Sequence, residues 1–168
     1  MIMKLAAIAL GSNLGDRMDY LRQAFLFLQS LSAQPIQVSS IYETAPVNCP
    51  EGSGAFMNAA ALIHWDGSDP HALLDQLLAF EQSLGRPKDR PANAPRTIDL
   101  DLLFVGAVML SSQRLTLPHP RMTQRLFVLE PLAELCPEQV LPHTQRTIRE
   151  HLILCRQQAD APVISSFL

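Results

Sequence analysis

Cysteine is scarce in this chain, which has only Cys49, Cys136 and Cys155 among its 168 residues. The number is odd, the three residues lie far apart, and no CxxC pair occurs. This usage argues against a disulfide framework and against a zinc site of common spacing, and it indicates a reducing compartment.

Long hydrophobic runs and a targeting signal are also missing. No apolar run approaches the ~20 residues that a membrane-spanning helix needs, and the first residues lead into a strand-like segment without a cleavable signal pattern. The formal net charge of -3 gives no general attraction to nucleic acid. We therefore expect a cytoplasmic protein that binds neither membranes nor nucleic acid, and that would bind a polyanion through a local cluster of arginines.

Neither of the two common phosphate-binding loops is present. The segment Gly11-Ser12-Asn13-Leu14-Gly15-Asp16 follows a strand-like run and precedes a helical pattern, yet it matches neither GxxxxGK[ST] nor GxGxxG. A tight turn with a helix cap is the better interpretation. Nucleotide binding would then depend on a carboxylate-held metal ion and on arginine.

What the sequence does contain is the pattern of one globular domain over 1–168, with 159–168 as a candidate flexible tail. Its hydrophobic periodicity predicts strands at 5–10, 36–40, 56–65 and 97–105, with 108–110 pairing back, and helices at about 16–31, 70–84, 122–135 and 148–157. Two Pro-rich stretches, 44–55 and 86–96, are predicted as loops. This βαββαβ order with further helices predicts an α+β sandwich, with helices packed on a mostly antiparallel sheet.

The most informative segment is Arg96-Thr97-Ile98-Asp99-Leu100-Asp101-Leu102-Leu103-Phe104. Alternate residues of a strand face the same way, so Asp99 and Asp101 are predicted to project together, away from their apolar neighbours. Two adjacent carboxylates raise each other's pKa unless a cation neutralises them, and magnesium is commonly shared between carboxylates and substrate phosphates. The alternative is the solvated face of an edge strand, which the apolar flanks and the nearby arginines disfavour.

Basic residues cluster before and after this strand: Arg86, Lys88, Arg90 and Arg96, then Arg114, Arg121 and Arg125. Guanidinium groups pair with phosphate oxygens in a bidentate manner, although a charge run is often only a solvated surface. Glu81, on the second predicted helix, is either an ordinary helix-face residue or an anchor for an arginine or a substrate group. His119, between two prolines, is either structural or a contact to a phosphate or leaving group.

Seven segments between about residues 4 and 135 match the segments of one known family, in the same order along the chain. They are 9–16, 40–46, 56–60, 81–86, 94–103, 117–122 and 125–129. Two of their motifs are highly specific in combination, Pro-Arg-Thr-Ile-Asp-Leu-Asp (95–101) and Pro-His-Pro-Arg-Met (118–122). With these motifs the chain resembles the family of 6-hydroxymethyl-7,8-dihydropterin pyrophosphokinases, which are kinases of the folate pathway.

The resemblance implies a ferredoxin-like fold and transfer of the terminal diphosphate of ATP to the hydroxymethyl group of the reduced pterin, with AMP as the second product. It implies that Asp99 and Asp101 bind two magnesium ions that bridge the ATP phosphates. No general base is evident, and metal-assisted loss of the alcohol proton is the hypothesis. ATP and the pterin are the expected partners of what we expect to be a monomer, and both Pro-rich loops would close over them.

The resemblance also assigns individual residues. The pterin ring would lie between Phe56 and Phe127. Its polar edge would be bound by Thr44, Asn58 and the main chain around Pro46 and Val47. The nucleotide-binding residues would be Glu81, Lys88, Arg96, Ile98, Arg114, Thr116, His119 and Arg125, and the catalytic residues would be Asp99, Asp101, Arg86 and Arg96.

The chain departs from the family pattern at a few positions. Ala92 and Asn93 stand where some members have an Arg-Trp pair, Lys88 stands where a second loop arginine is common, and Phe56 replaces a frequent tyrosine. These departures put the contacts of the closing loop in question. Two alternatives stay open: a catalytically impaired pterin- or nucleotide-binding paralogue, and another nucleotide-dependent transferase with an Asp-x-Asp motif.

Overall fold

The computed structural model describes residues 3–46, 49–86, 89, 94–158 and 164–167, the last four by their backbone alone. The helices are α1 (Arg17–Leu31), α2 (Pro70–Ser83), α3 (Leu126–Leu135) and α4 (Ile148–Arg156), with a 3-10 turn at Met122–Gln124. The strands are β1 (Lys4–Ser12), β2 (Gln37–Val38), β3 (Ile41–Thr44), β4 (Phe56–Trp65), β5 (Asp99–Val105), β6 (Leu110–Ser111), β7 (Thr116–Leu117), β8 (Val140–Leu141), β9 (Arg146–Thr147) and β10 (Ile164–Phe167). None of the described helices combines the length and the apolar character needed to cross a membrane.

The main sheet has the strand order β10-β3-β4-β1-β5, with β2 beside β4. Its pairings within the described residues are all antiparallel. The interior strand β1, between β4 and β5, is largely buried along its length because its side chains are small or apolar and both faces of the sheet are covered. This topology confirms the predicted α+β class with a mostly antiparallel sheet.

Different helices cover the two faces of this sheet. On one face, α1 and α2 pack Leu28 and Leu77 against Ile8 of β1. On the other face, α3 and α4 form a separate core in which Leu129 packs with Phe104 of β5. The first two helices therefore share one face of the sheet, and the two C-terminal helices cover the opposite face.

Local signals set the ends of the first two helices. Asp16 caps α1 by accepting the N–H of Asp19 at 3.0 Å, which confirms the interpretation of the glycine-containing segment as a turn with a cap. The turn after α2 contains Gly85 at a φ of +88°. This backbone conformation is strained for a residue with a Cβ, so glycine lets the chain reverse there and directs Arg86 towards the sheet.

Some short strands differ from the expectation. The segment 108–110 does not pair back on β5, because β6 pairs instead with β7 around a turn in which the Ser112 N–H donates to the Leu115 carbonyl at 3.0 Å. The β8–β9 hairpin and β10, which pairs with β3, were not predicted. Strands of two to four residues carry too little periodicity to be recognised from sequence.

We predict that Leu129→Ala lowers the free energy of unfolding by about 2–5 kcal/mol, since it leaves a cavity in the core under α3. Urea unfolding followed by circular dichroism would measure the loss. Leu26→Ala is the matched control, because Leu26 is 74% exposed on α1 and its truncation should change stability by no more than about 0.5 kcal/mol. Equal losses in the two variants would contradict the assignment of α3 to the core.

Candidate active site

Asp99 and Asp101 lie on one face of the sheet at the start of β5. Their partners on β1 are Gly11 and Ala9, whereas Leu100 between them packs into the core under α1 and α2. The alternation predicted from the sequence is therefore present. Both carboxylates face the side of the sheet on which α3 packs.

The same face carries polar and aromatic residues from β3 and β4. Asn58 lies opposite Gly11, and its side-chain amide donates to the Thr44 hydroxyl at 2.8 Å. Phe56 is the strand partner of Thr44 and so shares its face. A Cβ on Gly11 would lie 3.4 Å from Asn58 Oδ1. Glycine at this position therefore leaves space between the Asn58 amide and the two carboxylates.

A cavity of about 620 Å³ lies above this row of residues; we call it the first cavity. Its opposite wall comes from α3 and the turn before it, through Arg125 and Phe127. Of the residues predicted to bind the pterin, four line this cavity: Thr44, Phe56, Asn58 and Phe127. The structure thus brings an aromatic ring from β4 and another from α3 into one space.

A second cavity of about 270 Å³ is bounded by α2, β5 and the β6–β7 hairpin. Of the residues predicted to bind the nucleotide, it is lined by Glu81, Arg114, Thr116 and His119, while Arg96 and Arg125 line the first cavity. Three residues line both cavities: Arg86, Asp99 and Asp101. The two carboxylates therefore stand at the junction of the cavities.

Asp99 is held by two arginines, one at each end of the stretch 86–96. Arg86 Nη1 donates to Asp99 Oδ1 at 2.6 Å, and Arg96 Nη1 donates to Asp99 Oδ2 at 2.8 Å. The three side chains are between 15% and 20% exposed, so these ion pairs are only weakly screened by solvent. Both oxygens of Asp99 are thus engaged by guanidinium groups.

Glu81 is a buried anchor and not an ordinary helix-face residue, since its side chain is 1% exposed. One oxygen accepts the N–H of Leu100 in β5 at 2.6 Å, and the other contacts the Arg86 guanidinium. Burial, followed by the charge of Asp99, raises the pKa of Glu81 to about 7. Glu81 therefore fixes α2 to the strand that carries both aspartates.

Asp101 is less well compensated than Asp99. Arg125 Nη1 lies 3.8 Å from Asp101 Oδ2, beyond hydrogen-bond distance. Burial, followed by the neighbouring charge of Asp99, raises the pKa of Asp101 to about 6. A divalent cation beside this carboxylate would offset both effects.

His119 is a neutral imidazole with a defined orientation. Its ring Nδ1 accepts the backbone N–H of Arg121 at 3.1 Å, and the backbone N–H of His119 donates to the Leu103 carbonyl at 2.7 Å. Burial, followed by the charges of Arg125 and Arg121, lowers the pKa of His119 to about 4. Because Nδ1 is an acceptor, the proton of the neutral ring is on Nε2, which is then available as a donor.

Four predicted residues are not placed in these cavities. The side chain of Ile98 is fully buried in the core under α1 and α2, so any contact with a nucleotide would have to come from its main chain. Pro46 is exposed and lines neither cavity. Val47 and Lys88 lie outside the described residues, as do Ala92 and Asn93.

Several lining residues were not assigned from the sequence. Gln124 lines the first cavity, as does Arg121, which the sequence had indicated only as a member of the basic cluster. Leu74, Leu78 and Leu102 contribute apolar surface to the second cavity. Leu74 and Leu78 follow the core residues Leu73 and Leu77 by one position on α2, so they lie at the edge of its apolar stripe. The only sequence signal for Leu74 and Leu78 is that they make the apolar stripe of α2 wider than the core-facing positions require.

Comparison with known proteins identifies the family. Residues 7–137 match the family model described as 7,8-dihydro-6-hydroxymethylpterin-pyrophosphokinase (HPPK). The chain belongs to this family. It is therefore an enzyme, a transferase of the pyrophosphokinase type in folate biosynthesis.

Relatives that carry the HPPK name align with most of the chain. The 2-amino-4-hydroxy-6-hydroxymethyldihydropteridine pyrophosphokinase of Bacillus subtilis is 45% identical over 135 residues, which is 80% of this chain and 79% of the relative. The protein of the same name from Haemophilus influenzae is 38% identical over 160 residues, or 95% of this chain and 96% of the relative. An Arabidopsis thaliana folate synthesis bifunctional protein is 41% identical over 128 residues, and this chain spans only 23% of its length.

A solved structure supports the fold. An HPPK-DHPS crystallised with substrates superposes with a TM-score of 0.73 at 14% identity, covering 92% of this chain and 43% of that chain. This similarity confirms the ferredoxin-like HPPK fold.

We predict opposite effects on stability when each aspartate is replaced by asparagine. Asp99→Asn removes the partner of Arg86 and Arg96 and should lower the free energy of unfolding by about 1–3 kcal/mol. The pKa of Asp101 is raised on folding, so its stabilising contribution is present at low pH and is lost as the pH rises through about 6. At pH 8, Asp101→Asn should therefore be at least as stable as the parent.

Urea unfolding of both variants at pH 8 and pH 4 would test this pair of predictions. The advantage of Asp101→Asn should shrink or disappear at pH 4, where the parent carboxyl group is largely protonated in the folded state and only partly protonated in the unfolded state. Equal destabilisation by both replacements at pH 8 would contradict the charge balance described above.

We predict that His119 contributes to acid unfolding. Its pKa is lowered on folding, so the stability that it provides is present above about 6.5 and is lost as the pH falls towards 4. In His119→Asn, the amide oxygen can still accept the Arg121 N–H, but no group titrates. The urea midpoint should therefore fall less steeply between pH 6.5 and pH 4 in this variant than in the parent, and parallel curves would refute the assignment.

Proposed function

We propose that the chain transfers a diphosphate group from ATP to 6-hydroxymethyl-7,8-dihydropterin, giving AMP and the pterin diphosphate. The observation that carries this proposal is the position of Asp99 and Asp101, which line both cavities at their junction. A group transfer between two bound substrates requires the reacting atoms to meet at one place. Family membership and the Bacillus and Haemophilus relatives support the choice of substrates.

The first cavity suits the pterin. A flat heteroaromatic ring can stack between Phe56 and Phe127, and the polar edge of such a ring needs the paired donor and acceptor groups that Asn58 and Thr44 supply. Thr44 and Asn58 are 5% and 4% exposed. Polar side chains buried to that extent and already oriented by each other can discriminate a ligand with matching hydrogen bonds from one without.

The second cavity suits the nucleotide. Its apolar surface, from Leu74, Leu78 and Leu102, can pack against the base, while Arg114 and His119 supply donors for ribose or phosphate oxygens. The neutral His119 can donate from Nε2 without adding a further positive charge to this wall. The phosphate chain would then extend from the second cavity past Arg86 towards the junction.

Magnesium fits the donor set at the junction. No group of three or more His, Cys, Asp or Glu side chains within the described residues could hold a metal ion by itself, so an ion beside Asp99 and Asp101 would need further ligands from the substrate. Magnesium is commonly bound in this way, by one or two carboxylates together with phosphate oxygens. We propose that Asp99 and Asp101 hold two such ions, which would neutralise charge on the triphosphate and favour ionisation of the alcohol.

The arginines can then exchange partners. Both oxygens of Asp99 accept hydrogen bonds from Arg86 and Arg96, so a cation at Asp99 would compete with these two guanidinium groups. Released from the carboxylate, they lie beside the path of the phosphate chain and can pair with its oxygens in the fork geometry that arginine favours.

In the transfer, the hydroxymethyl oxygen forms a bond to the β-phosphorus, and the bond from that phosphorus to the oxygen bridging it to the α-phosphorus breaks. The electron pair of that bond leaves with AMP, and the hydroxyl proton is released to solvent. Negative charge develops on phosphate oxygens, where Arg86, Arg96 and Arg125 can stabilise it. Enclosure of both substrates excludes water, which would otherwise compete with the alcohol as the acceptor.

We predict that Asp99→Asn and Asp101→Asn each lower kcat at least about a thousandfold, because each replacement removes a charged oxygen ligand from the junction while leaving the side-chain shape. The assay would follow AMP formation from ATP, magnesium and the reduced pterin by chromatography. Glu138→Gln is the matched control, since Glu138 pairs with Arg149 at the surface, outside both cavities, and this variant should retain parental activity.

The products also distinguish the alternative functions. Full activity in both aspartate variants would refute the metal assignment. No AMP from the folded parent, despite binding of the pterin, would indicate a catalytically impaired paralogue. Release of pyrophosphate or of a nucleoside diphosphate in place of AMP would indicate a different transferase.

A further inference from the structure

Asn13, in the turn between β1 and α1, is joined to the segment that leads into β5. Its side-chain oxygen accepts the N–H of Arg96 at 2.8 Å, and its own N–H donates to the Arg96 carbonyl at 3.2 Å. The two hydrogen bonds together fix the main chain of Arg96 on both sides of its Cα. Asn13 is 6% exposed, so water is a poor substitute for either partner.

Asn13 also reaches the loop that leads into β4. Its side-chain amide donates to the Gly54 carbonyl at 3.5 Å, at the limit of a hydrogen bond. The backbones approach closely here, since a Cβ on Gly54 would lie 3.3 Å from the Asn13 carbonyl oxygen. A second anchor follows directly along the chain, where Arg17 Nη1 donates to the Ala55 carbonyl at 2.7 Å.

The two segments that Asn13 joins carry residues of both substrate groups. Arg96 binds Asp99 at the junction, and Gly54 lies two residues before Phe56 on the wall of the first cavity. The Arg96 guanidinium carbon also lies 5.5 Å from the centre of the Phe56 ring, within the range of a cation–π contact. The buried amide of Asn13 therefore joins the charged and the aromatic side of the site, with Arg17 as a second anchor on the aromatic side.

We propose that Asn13 is a positioning residue that couples Phe56, on the wall of the first cavity, to Arg96. This inference depends on the proposed function, in which the first cavity binds the pterin. The carbonyl oxygen of its side chain orients Arg96 for the transfer step, and the amide nitrogen holds the Phe56 wall for pterin binding. The two halves of one side chain thus act on different kinetic constants. A residue that only stabilised the turn would change the folded fraction, and it would not change kcat and the pterin KM independently of each other.

Two replacements separate these effects. Asn13→Ala removes both halves and should lower kcat at least tenfold and raise the pterin KM at least fivefold. Asn13→Asp keeps an acceptor for the Arg96 N–H but cannot donate to Gly54, so kcat should return to within about threefold of the parent while the pterin KM stays raised. Initial rates of AMP formation at saturating ATP would give both constants, corrected for the folded fraction by circular dichroism.

Two further variants serve as controls. Ser12→Ala changes the adjacent residue, whose hydroxyl has no hydrogen-bond partner in the described part of the chain, and it should leave both constants within twofold. Arg17→Ala removes the anchor at Ala55 without touching Arg96, so it should raise the pterin KM alone.

The results decide the proposal in either direction. A kcat of Asn13→Ala within twofold of Ser12→Ala, or an Asn13→Asp variant as slow as Asn13→Ala, would overturn it. If Asn13→Ala does not fold, Asn13→Asp decides alone: a raised pterin KM with kcat retained supports the proposal, and an unchanged KM refutes it. If the parent forms no AMP, the proposed function fails, and calorimetric titration with 6-hydroxymethylpterin then tests Asn13 independently: weaker binding by Asn13→Ala than by Ser12→Ala supports the role, and equal binding refutes it.

Discussion

The ion pairs of Asp99 with Arg86 and Arg96 set the charge balance on which both cavities depend. Two carboxylates on one face of a strand repel each other and lose hydration when they are half-buried. The guanidinium groups offset that cost at Asp99, and because they stand at the two ends of the connection between α2 and β5, the same contacts fix both ends of that connection against β5. Asp101, without a comparable partner, keeps the unfavourable electrostatic environment that a cation can relieve.

The charge of the site is opposite in sign to the net charge of the chain. The chain has a formal net charge of -3, yet the described residues lining the first cavity include four arginines, Arg86, Arg96, Arg121 and Arg125, against the two aspartates. Attraction of a triphosphate therefore depends on local placement and not on overall charge. Burial, together with the positive charge of Arg125 and Arg121, lowers the pKa of His119 and keeps its ring neutral, so that it is available as a hydrogen-bond donor in place of a further cation.

Features governed by neighbouring residues could be predicted from the sequence. The alternation around Asp99 and Asp101, the cap at Asp16 and the stop at Gly85 follow from backbone geometry within a few residues. The resemblance to known motifs then supplied candidates such as Thr44 and Phe127. By contrast, the pairing of β6 with β7 and the strand β10 depend on which partner a very short segment finds, and no pattern in those segments specifies one.

The sequence by itself determined that two carboxylates share a face, where α1 and α2 begin and end, and to which family the motifs belong, because side-chain periodicity and capping are local properties of the backbone. Only the tertiary structure decided that these carboxylates separate two cavities, that Glu81 is a buried anchor for β5, and that Asn13 joins segments 41 and 83 positions away. Those relations depend on how helices and loops pack against the sheet. Packing is a property of the assembled core, which no single stretch of the chain contains.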